Sequence, residues 1–102
     1  MQYTAVSPQQ LMIYSTSGTT DTTGSITFNI AGIFGQVYSV QAQVIRDTVD
    51  PKLACVALVR SFTTNSVVVQ VFESKTTAFG SAAEGFEKTS AAVVVHLNVF
   101  GI

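Results

Sequence analysis

Alternation with a period of two runs through most of this chain. In SITFNI, Ile26, Phe28 and Ile30 fall on one side of an extended backbone, with Ser25, Thr27 and Asn29 on the other. That is the pattern of a strand with one buried face. VYSVQAQVIR repeats it, placing Tyr38, Val40, Ala42 and Val44 opposite Ser39, Gln41 and Gln43. NSVVVQVFES sets Val67, Val69 and Val71 against Val68, Gln70 and Phe72. The closing run sets Val93, Val95, Leu97 and Val99 against Val94, His96, Asn98 and Phe100. LACVALVRSF is apolar on both sides as far as Arg60, and QLMIYST is a shorter, weaker strand candidate. β-Branched and aromatic residues fill these windows, as pleated half-buried surfaces favour.

Turn chemistry separates the runs. STSGTTDTTGS carries Gly and Asp between Thr pairs, which suits a hairpin or a longer loop. IAGIFG supplies two glycines at a corner, and Asp50-Pro51 in RDTVDPK is a turn-initiating pair. SFTTNS is a short polar connection in which Asn65 tolerates positive φ. The longest break is KTTAFGSAAEGFEKTS, where Gly85 and the Ser and Thr residues interrupt any helix. Short strands at regular spacing predict an all-β antiparallel β-sandwich, jelly-roll-like, of roughly six to eight strands. The 102 residues are read as one domain, with 1–22 an extended N-terminal arm or a first strand.

The strands that are apolar on both sides raise a second expectation. VVVHLNVF, LACVALV and SVVVQVF need cover on each face, and a chain this short makes only two thin sheets. The second cover is then another copy of the chain, giving a homo-oligomer. Val94, His96, Asn98 and Phe100 are the expected subunit interface. Composition points the same way: 47% of residues are hydrophobic, only 11% are charged, and mean hydropathy is +0.41. Ordinary soluble domains carry roughly 25% charged residues.

Charge and cysteine content narrow the functional classes. Five Lys and Arg against six Asp and Glu, with a pI near 5.6, leave no basic stripe for nucleic acid. No apolar run approaches the ~20 residues of a spanning helix, and MQYTAVSPQQ lacks the basic start and apolar core of a secretory signal. Cys55, the one cysteine, sits in LACVAL and reads as a small buried side chain. His96, the one histidine, lacks evident co-ligands for a metal or partners for a triad. No cofactor and no enzymatic activity are expected. Phe79 and Phe86 of the 75–90 loop are expected first to fold back and plug the sandwich or a subunit interface, and the alternative is that this loop is a ligand site. Phe79 and Phe86 flank glycines there, offering faces that stack on sugars, and Glu84 and Lys88 supply polar contacts.

The order FGQVYSVQAQV, LACVALV, SFTTNSVVVQVFES, a Gly-containing loop and a closing VHLNVFGI resembles the small trimeric β-sandwich modules at the distal ends of bacteriophage tail fibres and related virion proteins. It also resembles lectin-like domains of similar layout. Thr63, Thr64, Val67, Val69 and Phe72 carry the middle of the resemblance, and Val95, Leu97, Val99 and Gly101 its close. It implies a homotrimer, located in the virion, with other virion proteins as partners and a role in host attachment or as a structural cap. Cell-surface glycan is the implied ligand. The chain has no Trp, so no sugar pocket is carried over.

Overall fold

Each of the two sheets is organised around one strand that sends three fully buried valine or leucine side chains into the core. The computed structural model describes residues 10–45, 55–74, 86–89 and 92–102. These form β1 (Met12–Thr19), β2 (Ser25–Asn29), β3 (Val37–Ile45), β4 (Cys55–Phe62), β5 (Ser66–Ser74), β6 (Phe86–Lys88) and β7 (Val94–Gly101), with no helix among the described residues. Every pairing is antiparallel. One sheet has the order β1-β7-β3 and the other β2-β5-β4. In the second, β4 takes one edge of β5, while β2 pairs with Ser66–Gln70 and β6 with Phe72–Ser74 along the opposite edge.

The inward faces of the two sheets share one core. Val95, Leu97 and Val99 come from β7, Val67, Val69 and Val71 from β5, and all six are fully buried. Phe28, Ile30 and Phe34 close the core from β2 and the loop that follows it. β1 runs over β2, and a Cβ at Gly18 would meet Ile26 Cδ1 at 2.7 Å, so any side chain there requires the end of the Ile26 side chain to move. β3 lies beside β4 across the layers.

The chain changes sheets at Thr20. Its N–H donates to the Val93 carbonyl (2.8 Å), and its Oγ1 accepts from Val93 N–H (3.0 Å), tying this corner to the start of β7. A tight turn follows. Gly24 N–H donates to the Asp21 carbonyl and Asp21 N–H to the Ser25 carbonyl, with Gly24 at φ 79° where a side chain would be strained. Asp21 Oδ1 accepts from Thr23 N–H, Thr23 Oγ1 and Ser25 N–H. These bonds, the Thr23 hydroxyl first, hold the carboxyl below the usual carboxylate range. At the other end, Gly35 and Gln36 donate to the Ile102 carbonyl and Ile102 N–H donates to Gln36 O. Gly101 is packed so closely against the Gln36 carbonyl and Phe34 that no side chain fits there.

Several sequence expectations change in detail. QLMIYST is the start of a full eight-residue strand. A bulge between Val37 and Ser39 turns Tyr38 out of the core, and Val37 packs inward with Val40, Ala42 and Val44 in its place. Among the described strands β4 is an edge strand, not a central one, and its outward Val56 and Leu58 stand exposed. Asn65 does not adopt positive φ: the Thr63 hydroxyl closes that turn by accepting from Asn65 and Ser66 N–H. Cys55 is half-buried. The Asp50-Pro51 turn and most of the 75–90 loop lie outside the described residues.

Candidate interaction surface

Because side chains alternate across a strand, placing Val95, Leu97 and Val99 in the core sends Val94, His96, Asn98 and Phe100 to the outer face of the β7 sheet. The register then sets their neighbours. Val94 lies between Thr19 and Ile45, His96 between Ser17 and Gln43, Asn98 between Ser15 and Gln41, and Phe100 between Ile13 and Ser39. Four rows result, apolar at both ends and hydrogen-bonding in the middle. Ser15 Oγ donates to Asn98 Oδ1 at 2.6 Å across the β1–β7 pair, fixing that amide.

The end rows are rich in exposed apolar surface. Ile13 is 62% exposed, and the bulge brings Tyr38, 53% exposed, out beside the Phe100 row. Ile45 and Val94 stand exposed at the opposite end. None of these rows carries a charged side chain. Among the described residues the charges are Asp21, in the turn beyond β1, and Arg60, Glu73, Glu87 and Lys88, all in the β5 sheet.

The outer face of the β5 sheet is different. Val56 pairs across to Phe72 and Phe72 to Lys88, while Leu58 pairs to Gln70 and Ser74 to Phe86. Leu58 and Phe86 are 51% and 55% exposed, with Val68 and Phe72 half-buried beneath them. Gln70 and Ser74 are buried on this face, at 2% and 8% exposure, and Gln70 Nε2 donates to the carbonyls of Thr23 (2.8 Å) and Val71 (3.2 Å). Arg60 continues the outward alternation of Val56 and Leu58 on β4, so Arg60 and Lys88 flank the apolar strip from two sides.

The sequence-predicted residues thus divide between two surfaces. Val94, His96, Asn98 and Phe100 share one face of one strand, as expected. Phe86 and Lys88 lie on the other sheet, next to Phe72, and Phe79 and Glu84 fall outside the described residues. Gln41 and Gln43 lie on the polar face that alternation assigns them, and Ile13, Ser15 and Ser17 of β1, not singled out from the sequence, complete the surface on the other side of β7. No group of three or more His, Cys, Asp or Glu among the described residues is arranged to hold a metal. No family model, curated protein or solved structure matches the chain.

Proposed function

We propose that this chain is a non-enzymatic structural module that works as a homo-oligomer, in a virion appendage such as a tail fibre, spike or decoration protein, and contributes to host-surface attachment. The observation that carries the reading is the exposure of large apolar side chains on the outer faces of both sheets: Ile13, Tyr38 and Ile45 on one, Val56, Leu58 and Phe86 on the other. Isolated exposed apolar residues are ordinary, but clusters of them on both sheets of a charge-poor chain favour surfaces that partners cover. The pairing of β1 with β7, the first and last described strands, supports a jelly-roll reading. Three copies is the order implied by the resemblance to phage modules, and avidity across them makes weak attachment sites useful.

Phe72, Phe86 and Lys88 favour a second reading on the same scaffold, a stand-alone carbohydrate-binding domain. Two aromatic rings beside a cation supply stacking and hydrogen bonding to a cell-surface glycan. Native mass spectrometry together with a glycan array tests both. Trimers with glycan binding that is lost in Phe86→Ala support the attachment module. Glycan binding by a monomer supports the lectin reading, and a monomer without binding removes both.

A further inference from the structure

We infer that the outer face of the β5 sheet takes an acidic glycan, its carboxylates met by Arg60 and Lys88. The inference rests on the attachment reading and gives that site a substrate class.

The register lays this face out in rows. Ser61, Val68 and Thr27 form one, Leu58, Gln70 and Ser25 the next, Val56, Phe72 and Lys88 a third, and Ser74 with Phe86 the last. From Val68 to Ser74, at about 3.4 Å per residue and 4.8 Å between strands, the patch is roughly 20 Å long and 10 Å wide. That outline suits a short chain of sugars better than a single ring. Exposed Leu58 and Phe86 and half-buried Val68 and Phe72 give it apolar surface between the cations.

Among the described residues the charges on this face have one sign. Arg60 stands exposed on β4 and Lys88 exposed on β6. Glu73 and Glu87 stand opposite each other on the other side of the same strands, since alternation turns them away from Phe72, Phe86 and Lys88. Asp21 belongs to the turn that meets the face through the Thr23 carbonyl, but its Oδ1 accepts three bonds from Thr23 and Ser25 of its own turn. An anion arriving on the strip therefore meets two cations. The Arg60 guanidinium matches a carboxylate with two parallel N–H bonds, and Lys88 adds a point charge.

A sugar is the anionic occupant that fits. The face of a sheet presents side chains alone, because its backbone groups are spent on the ladders. A peptide laid across it has its own N–H and C=O groups covered without partners. A sugar ring rests its C–H face on Phe72 and Phe86 and keeps its hydroxyls in water, or against the Thr27 and Ser61 hydroxyls at the end of the patch. Two cations fall short of the roughly four to eight basic residues that hold a protein on an anionic membrane. They are also too few to neutralise a run of nucleic-acid phosphates.

The test is a glycan array of hexuronate- and sialate-containing oligosaccharides beside their methyl esters, probed with the full chain. Phosphatidylserine vesicles and a polyglutamate peptide are the further probes, and circular dichroism checks folding. The free acids are expected to bind at least about 10-fold tighter than the esters, with added salt closing the gap, and the vesicles and peptide not to bind. Arg60→Gln and Lys88→Gln each lose about 10-fold on the acids and keep the wild-type response to the esters. Gln43→Ala, on the outer face of the other sheet, binds as the wild type does. Equal binding of acids and esters overturns the acidic specificity and leaves glycan attachment standing. Acid selectivity that survives in both folded cation variants, or is lost in folded Gln43→Ala, overturns this face as the site. Binding to vesicles or polyglutamate as tight as to the acids overturns the sugar as occupant. Binding to no glycan at all overturns the attachment reading itself, a result distinct from the others.

Discussion

At the scale of single residues, the fold depends on places where a side chain cannot be accommodated. Gly24 and Gly32 both have positive φ, but their surroundings differ: Gly24 is packed against Thr89 Oγ1 and the Val71 carbonyl, whereas Gly32 faces open space. Alanine at Gly32 costs about 1 kcal/mol from backbone strain alone. Alanine at Gly24 adds overpacking of roughly 1–3 kcal/mol, and urea denaturation of the two variants separates these contributions. Thr89 Oγ1 is itself buried with no hydrogen-bond partner among the described residues, so the neighbourhood has no polar reserve to absorb a shift. Asp21 acts through charge. Its folded-state pKa lies below the unfolded value because three donors favour the carboxylate. The contribution is present above the unfolded pKa of about 3.9 and is lost as pH falls through the lower folded value. Asp21→Asn is therefore less stable than wild type at pH 7, and the difference closes below pH ~4; thermal melts across that range read it directly.

At the scale of elements, the division between core and outer face is the governing fact. Leu97→Ala, in the fully buried row of β7, costs about 2–5 kcal/mol of unfolding free energy. Phe100→Ala, one face over and half-buried, costs clearly less in the same denaturation experiment while weakening association. Equal losses of stability at the two positions would show that both faces of β7 are core. Alternation made β2, β5 and β7 legible in the sequence, because one-sided burial leaves its period in the residue types. The bulges were not legible. An extra residue at Tyr38 or Arg60 leaves the residue types unchanged and alters only which of them face inward. The rank of β4 differs from the sequence expectation for a related reason: in residue type, exposed Val56 and Leu58 look like the second buried face of a central strand. Gln70 was unreadable in another way, since its burial depends on a carbonyl from the Thr23 turn, 47 residues away.

At the scale of the whole molecule, the two outer faces point away from each other and differ in chemistry. The β7 face is uncharged, and the β5 face pairs an apolar strip with Arg60 and Lys88. On the proposed function, the first face serves assembly and the second attachment. Charge poverty and two-sided strands raise the expectation of partners, and the sequence places half of this outer face, Val94, His96, Asn98 and Phe100, on β7. The other half comes from β1 and β3, and only the register could bring those rows beside His96 and Asn98. The most direct measurement is the light-scattering mass of the full chain at neutral pH across the micromolar range. The mass is expected to rise with concentration to a small multiple of 10.8 kDa. A constant 10.8 kDa at every concentration would contradict it, leaving the β7 face uncovered and the chain a monomer.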